Sequence, residues 1–403
     1  MVERKYKILR IINRFNLGGP TYNVTYLTRY MPPEFETLLA GGMKEKSEAS
    51  SDFILEQNGI KPVIIEEMKR SINPMNDIAA YKRIKKLIKE FKPDIVHTHA
   101  SKAGTLGRLA AFSCKVPITV HTFHGHVFHS YFGNIQTTVY KNIERYLAKR
   151  TTALVAISDK QKDELTEIHR IATAEKFHVV PLGFDLAKFW TDTETKRSSF
   201  RQEYMVGDDE VAIGIIGRLV PVKNHKMFLE AIKQVKDKTT SKIKAFIVGD
   251  GELKQDLMNY CTEIDLSFTS SHKLNPSADV FFTSWIKEAD IATSGLDVIA
   301  LSSLNEGTPV SLIEAQAAGK PIVSTQTGGI ENVVIPGTTA LLSPVGDVKA
   351  FAENLLRISN DMALRRFLSE KGKDFVSGRF HYTALVMNMS KLYHKLLQEN
   401  NIS

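Results

Sequence analysis

The chain predicts an α/β protein with parallel sheets in two domains, and three observations carry that expectation. Short apolar runs of strand length alternate with helix-like stretches throughout, as strand–helix–strand crossovers require. At 403 residues the chain exceeds the roughly 250 to 300 at which a single core usually divides. With 43% hydrophobic and 24% charged residues the composition is globular, and no short internal repeat points to a solenoid.

The first element is an apolar strand, Lys7 to Ile12, which runs into Asn16-Leu17-Gly18-Gly19-Pro20 and a helix-like stretch from Tyr22 to Tyr30. A Gly-Gly turn between strand and helix lets backbone N–H groups approach a phosphate with no Cβ in the way, and it equally suits a simple tight turn. PDIVHTHA, Pro93 to Ala100, is a strand leading through Ser101-Lys102-Ala103-Gly104 into a helix, and PITVHTFHG, Pro117 to Gly125, is another. His97, His99, His121 and His124 lie on these two strands, with His126 and His129 just beyond. They have no Cys or carboxylate partner at ligand spacing, so no metal site is expected, and a hydrogen-bonded histidine is the simpler reading for most of them. The series closes on VVPLGFDLAKF, and a polar stretch, Thr191 to Asp209, follows. The expected domains are 1–189 and 190–380, with a final helix, His381 to Gln398, in a closing segment 381–403.

The second series opens with VAIGIIGRLVPV, Val211 to Val222, a strand ending in Gly217 and Arg218, followed by Lys223 and a helical pattern from Met227 to Val235. Arg218 and Lys223 thus belong to a loop at the carboxyl end of a strand, where open parallel sheets bind ligands. Arg can fork to phosphate oxygens and Lys can act as a point charge, or both can be solvated loop cations. KAFIVGDGE, Lys244 to Glu252, is a further strand closing on a Gly-Asp-Gly turn that contains Gly249. Such a turn is ordinary punctuation by itself.

SSLNEGTPVSLIEAQAAGKPIVSTQTGGIENVV, Ser302 to Val334, sets Glu306 and Glu314 on either side of a helix start. Thr308 suits the N-cap and Pro309 the first helical position, where its missing N–H costs nothing. Val310, Ser311 and Leu312 then present N–H groups with no intrahelical partner, and the positive dipole end favours an anion such as a diphosphate. Glu306, in the loop before that end, can accept from vicinal hydroxyls, and Glu314, over one turn in at ~3.6 residues per turn, can reach a second diol such as a ribose. On spacing alone both carboxylates read equally as a solvated loop residue and a helix-surface charge.

GRLVPVKN, VGDGEL and NEGTPVSLIEAQAAGKPIVSTQTGGIENVV, in this order and at about this spacing, resemble the C-terminal half of the retaining glycosyltransferases of family 4, which have the GT-B fold. The resemblance covers nearly the whole chain, and its most specific part is the Glu-x7-Glu frame of Glu306 and Glu314. It implies two Rossmann-like domains with a deep interdomain cleft, the nucleotide on the second domain and the sugar facing the first. It further implies that Glu306 orients the donor sugar hydroxyls, that Glu314 holds the ribose, that the Gly18-Gly19 loop lies against the diphosphate and that His124 contacts the donor sugar. Negative charge left on the diphosphate would be met by Arg218, Lys223, the Gly18-Gly19 amides and the helix start at Pro309, an electrostatic role of the kind that often dominates catalysis. Gly217, Gly249, Thr308, Val310 and Ser311 complete the expected donor-binding set. Oxocarbenium-like charge develops on the sugar. The leaving phosphate takes the acceptor proton on the same face, so the resemblance calls for no protein base, metal or cofactor. Two departures stand out: Tyr260 to Ser277 is longer and more polar than the usual connector, and Ser284 replaces a common Gly at the end of the base-contacting strand Val280 to Trp285. Uridine is the expected base on frequency in the family alone.

Within the family, HTHASKAGTLGRLAA followed by VHTFHGHVF resembles bacterial members that build capsule, exopolysaccharide or O-antigen units on a polyprenyl diphosphate carrier at the cytoplasmic face of the membrane. Lys102 and Arg108 would meet the acceptor's phosphate. Residues 1 to 190 hold 29 Lys and Arg against 19 Asp and Glu, a net +10, so the remainder carries −2 of the total +8. Clusters such as Lys82-Arg83-x-Lys85-Lys86 and Arg145 to Arg150, near the aromatic-rich segment His126 to Tyr140, suit an anionic membrane or a diphosphate-linked acceptor. They equally suit an ordinary basic surface. No nucleic-acid motif accompanies the charge. Cys114 and Cys261 are too few for a disulfide framework or zinc site, which indicates a reduced, cytoplasmic compartment. The start MVERKYKILRII is no signal peptide, and no apolar run of about 18 residues is present to span a bilayer. The expected activity is transfer of a hexose or N-acetylhexosamine from a UDP-sugar to a lipid-linked or other saccharide acceptor. A UDP-sugar 2-epimerase of the same architecture, or a non-catalytic nucleotide-sugar-binding protein, are the alternatives; the Glu-x7-Glu frame argues against the first, and intact Arg218, Lys223, Glu306 and Glu314 against the second.

Overall fold

The computed structural model describes residues 4–16, 18–44, 51–69, 71, 73–124, 134–270 and 275–402, with the backbone alone for 134–136. The chain forms two compact units, Met1–Phe184 with Phe380–Ser403, and Asp185–Arg379.

Unit 1 is a seven-stranded parallel sheet of β1 (Tyr6–Phe15), β2 (Phe35–Met43), β3 (Val63–Ile64), β4 (Ile95–His99), β5 (Ile118–Phe123), β6 (Ala153–Ala156) and β7 (Phe177–Val179), in the order β3-β2-β1-β4-β5-β6-β7. Its helices are α1 (Gly19–Arg29), α2 (Asp52–Gln57), α3 (Pro74–Phe91), α4 (Ser101–Ser113), α5 (Asn134–Arg150) and α6 (Asp159–Asp163). Both faces of the sheet are covered, so its strands read as continuous apolar runs. Ile8, Ile95 and Val120 join one apolar cluster, and the alternate residues Leu9, Ile11 and Val96 join another against α3 and α4. Strand order reverses between β1 and β4, and ligands of open α/β sheets bind beyond the carboxyl ends of the strands at such a point.

Unit 2 repeats the plan with β8 (Glu210–Ile216), β9 (Lys242–Val248), β10 (Phe268–Ser270), β11 (Val280–Ser284), β12 (Val298–Leu301), β13 (Ile322–Thr325) and β14 (Ala340–Ser343), in the order β10-β11-β9-β8-β12-β13-β14, all parallel. Its helices are α7 (Thr193–Glu203), α8 (His225–Lys236), α9 (Lys254–Glu263), α10 (Ala289–Gly295), α11 (Val310–Ala317), α12 (Val348–Asn360) and α13 (Met362–Phe380). One face packs on α8, α9 and α12 through Phe228, Leu257 and Leu355; on the other, Phe200 of α7 lies tilted and its C-cap Tyr204 edge-on against Phe246 of β9. Here the order reverses between β8 and β12.

The last helix, α14 (Tyr382–Glu399), belongs to unit 1. Leu385, Met389, Leu392, Tyr393 and Leu396 lie in the cluster of Ile8, Ile95 and Val120, each such side chain contributing about 1.5–3 kcal/mol of burial. The two chain crossings are tied together: the Phe184 N–H donates to Phe380 O at 2.8 Å and the Tyr382 N–H to Phe184 O at 3.0 Å. The first boundary falls at 184/185 and not at 189/190, because Ala187–Phe189 forms a 3-10 turn that packs on α10 with Phe189 buried. The second boundary falls at 379/380.

Two local expectations change. The first helix starts at Gly19 and not at Tyr22, since Pro20 suits a first helical turn. Within Tyr260 to Ser277 the described residues hold the end of α9 and the edge strand β10, which the sequence did not signal, anchored by buried Leu266 and Thr269. Residues 271–274 of that segment, with Leu17, Gly125, His126, His129 and the rest of 125–133, lie outside the described residues.

Candidate active site

In unit 2 the loops after β8 and β12 flank the switch point and are laced together. The Leu304 N–H donates to Val222 O at 2.8 Å, and Ser302 Oγ donates to the carbonyls of Lys223 (3.1 Å) and Asn224 (3.0 Å). From the other side, Thr325 Oγ1 donates to Ser303 O and Thr327 Oγ1 to Leu304 O, while the Gly329 N–H donates to Glu306 O at 2.8 Å. A Cβ on Gly328, whose φ is +51°, would meet Glu306 O at 2.0 Å, and one on Gly329 would meet Gly307 O at 1.7 Å. The Gly-Gly pair therefore belongs to the packing that fixes the Glu306 loop.

Within that frame Lys223 and Glu306 come together. Lys223 Nζ bridges to Glu306 Oε1 at 2.5 Å, and Ser303 Oγ donates to the same oxygen at 2.6 Å. Both contacts end on Oε1, which leaves the Oε2 lone pairs for a ligand. Arg218 stands exposed on the same loop, its guanidinium joined to no described residue. His225, at the start of α8, is buried with neither ring nitrogen partnered among the described residues; burial first, and Lys223 second, push its pKa down to about 4.

The helix after the Glu306 loop begins one residue later than expected. Pro309 has φ −73° and ψ 98°, so it is the N-cap in extended conformation, Thr308 precedes it without a capping bond, and α11 runs from Val310. The Leu312 N–H donates to Pro309 O at 3.1 Å, and the amides of Val310 and Ser311 are the ones left without intrahelical acceptors. Glu314 lies one turn further on and is half-buried; burial pushes its carboxyl up to about 7, Lys188 opposing the shift and Asp290 adding to it. Lys188 was not singled out by sequence reasoning. Its one signal is position, four residues after the crossing at Phe184.

Gly217 and Gly249 separate in role. A Cβ on Gly249, at φ +149°, would meet Gly217 O at 1.9 Å, so this glycine serves the close approach of two backbones. At Gly217 a Cβ would touch only Lys223 Cε at an ordinary 3.6 Å. Ser284 adopts φ +59°, the left-handed region where glycine is usual, and its Oγ accepts from Lys254 Nζ at 2.5 Å.

In unit 1, Gly18 is the N-cap of α1 and Gly19 its first residue. A Cβ would find contacts no closer than 3.7 Å at Gly18 and 3.4 Å at Gly19, so internal packing does not demand glycine there. The histidines of β4 and β5 and His124 just after β5 are each hydrogen-bonded. His97 joins Tyr393 Oη (2.6 Å) and Thr122 Oγ1 (2.7 Å), His121 joins Thr98 Oγ1 (2.9 Å), and His99 Nδ1 meets His124 Nε2 at 2.8 Å. Burial pulls all four pKa values down, that of His124 to about 3, so the rings are neutral at physiological pH.

The two expected acceptor cations are spent within the fold. Arg108 is fully buried; its Nη2 bridges to Glu144 Oε2 at 2.6 Å and its Nε donates to Gly104 O at 2.8 Å. Lys102 Nζ bridges to Asp77 Oδ1 at 2.8 Å and donates to Ser71 O at 2.5 Å. Arg108 lies on the buried side of α4 with Gly104 and Gly107, and the first turn of α3 supplies Asp77, the acid that neutralises Lys102.

Two α/β units, each a seven-stranded parallel sheet with one switch point, have the two-domain plan of the GT-B fold. Residues 196–375 match the family model described as glycosyl transferases group 1, and residues 22–188 match that of glycosyltransferase family 4. The chain is 30% identical, over 83% of its length and 84% of the relative's, to the UDP-Gal:alpha-D-GlcNAc-diphosphoundecaprenol alpha-1,3-galactosyltransferase of Escherichia coli. It is 25% identical, over 83% and 85%, to the capsular polysaccharide biosynthesis glycosyltransferase CapM of Staphylococcus aureus. The solved structure of Anabaena HepE in complex with UDP superimposes with a TM-score of 0.79 at 18% identity, covering 96% of this chain and 100% of that one, which shows the shared fold. The chain belongs to glycosyltransferase family 4 and is a glycosyltransferase.

Proposed function

We propose that this enzyme moves a hexose or N-acetylhexosamine from a UDP-sugar to a polyprenyl-diphosphate-linked saccharide in cell-surface polysaccharide assembly, with retention of configuration and without metal or cofactor. The observation that carries the reading is the gathering of Arg218, exposed and joined to no described residue, the Lys223–Glu306 bridge and the open helix start at Val310 on the loops of one switch point. As the anomeric C–O bond breaks, negative charge grows on the diphosphate. Arg218 forks to its oxygens, the Val310 and Ser311 amides donate to it, and Lys223 adds a point charge. The Gly18 and Gly19 amides, at two glycines that internal packing does not require, also suit an anion. Glu306 accepts sugar hydroxyls on Oε2, Glu314 accepts from the ribose diol in its ionised form, and His124 contacts the sugar. The leaving phosphate takes the acceptor proton.

The lipid-linked acceptor is supported by the name of the Escherichia coli relative. Surface chemistry agrees with work at the inner face of the cytoplasmic membrane: α3 exposes Lys82, Arg83 and Lys86, and α5 exposes Val139, Ile143 and Tyr146 beside Leu109 of α4. Among the described residues no helix is long and apolar enough to cross a membrane.

A released-nucleotide assay over a panel of sugar nucleotides, with a lipid-linked monosaccharide diphosphate as acceptor, tests the reading. UDP release that needs the acceptor and survives EDTA is expected, with an axial or equatorial product linkage matching the donor's by NMR. Binding of one donor with turnover of none would sink the transferase mechanism. Liposome binding in low salt that is unchanged after neutralising Lys82, Arg83, Lys85 and Lys86 would remove the membrane part.

A further inference from the structure

We propose that His99 is a positioning residue for His124, fixing which ring nitrogen of His124 carries hydrogen and therefore what that ring presents to the sugar. The inference rests on the reading that His124 contacts the donor sugar.

His99 ends β4 and His124 follows β5, neighbouring strands, and their rings stack with centroids 5.1 Å apart at 30°. Nδ1 of His99 lies 2.8 Å from Nε2 of His124. Each neutral imidazole has one N–H, so a single hydrogen occupies that contact and the two tautomers are coupled. If His99 donates from Nδ1, His124 must hold its hydrogen on Nδ1; if His124 donates from Nε2, its Nδ1 becomes an acceptor. The outward nitrogen of the pair thus has its polarity set by its neighbour.

Two further observations bear on the pair. His99 Nε2 and His124 Nδ1 are buried and have no partner among the described residues, and a buried polar atom left without a partner is costly. The layer beneath is held at both ends. Arg10 Nη2 donates to Tyr393 Oη at 3.1 Å, and the His97 ring is hydrogen-bonded through Nδ1 to Tyr393 Oη at 2.6 Å and through Nε2 to Thr122 Oγ1 at 2.7 Å. The His97 ring, oriented in this way, packs 4.1 Å from that of His99. A residue of the C-terminal helix α14 therefore helps to seat the histidines at the end of β4.

The test is a double-mutant cycle with a tautomer readout on the full chain. His99→Phe keeps the stacked ring and removes the nitrogen; His99→Asn keeps an amide near the Nδ1 position. We expect His99→Phe to lower kcat/KM for the donor by about 10- to 100-fold, His99→Asn to stay within about threefold of the parent, and His99→Phe to cost nothing further in a His124→Ala background. Nitrogen-15 spectra should show one His124 tautomer in the parent and in His99→Asn, and a mixture in His99→Phe. An equal loss from His99→Phe with and without His124, or an unchanged His124 tautomer in His99→Phe, overturns the proposal. If His124→Ala leaves kcat/KM intact while the tautomers shift as expected, it is the sugar contact that fails, and the functional half of the proposal falls with it.

Discussion

The two units place opposite chemistry at the same position of the same fold. Unit 2 loads the loops of its switch point with charge, Arg218, Lys223 and Glu306, held by backbone and hydroxyl groups. Unit 1 loads its strand ends with neutral histidines whose pKa values are pulled down chiefly by burial. The overall balance runs the other way, with a net +10 on residues 1 to 190 and −2 on the rest. The site's electrostatics depend on which few groups the loops hold and how they are paired.

The sharpest test of this contrast is Arg108, the buried cation of unit 1. Removing one partner of a buried bridge strands the other, so Arg108→Ala should cost about 3–5 kcal/mol in urea unfolding, whereas the apolar pair Arg108→Met with Glu144→Leu should recover most of it. A wild-type midpoint for Arg108→Ala would show that its charge is not structural. In unit 2 the exposed Arg218 should behave in reverse: Arg218→Ala should lower kcat/KM by about 10²–10³-fold and leave stability within about 0.5 kcal/mol. If turnover survived, the leaving charge would be met elsewhere.

Glu314 gives a smaller effect with a distinct pH signature. Its pKa is about 7 in the folded chain against an ordinary 4.5, so in that interval the unfolded chain releases the proton and the folded one keeps it. Stability attributable to this carboxyl is therefore intact below about pH 4.5 and falls as pH rises towards 7. Glu314→Gln should be more stable than the parent by about 1–3 kcal/mol at pH 8, discounted for its partial exposure, and equal to it at pH 4. Its KM for the donor should rise at pH 8, and parental KM should rise as pH falls below about 7. A flat difference in melting temperature between pH 4 and 8 would contradict the assignment. The smallest change is expected at Ser284, where Ser284→Gly relieves a left-handed φ but loses the Lys254 bond; the two should cancel to within about 1 kcal/mol in thermal unfolding.

Much of the architecture was legible because strands buried on both faces read as apolar runs and the crossovers between them read as helices. β1, β4, β5, β8, β9 and β11 lie where those runs stand. The edge strand β10 was not legible, since Phe268–Ser270 is short and set among polar residues, and only pairing with β11 makes it a strand. From the sequence the Arg218 loop could be placed at a strand end and the Glu306 loop before a helix start. Their partners could not: Ser303 and Lys223 reach the same oxygen of Glu306 because the loops after β8 and β12 are neighbours in the sheet and 83 residues apart in the chain for the Lys223 pair.

The sequence alone determined the class, the two-sheet plan and the residue types at the switch point of unit 2, since all three follow from local periodicity and from a motif within one stretch of chain. Tertiary structure decided which charges are available. Lys102 and Arg108 carry the same formal charge as Arg218, yet one is neutralised by Asp77 and the other sealed against Glu144, while Arg218 stands open. Spacing cannot distinguish them, because the energy of a charge depends on its solvent and its partner, and both are set by elements distant in sequence.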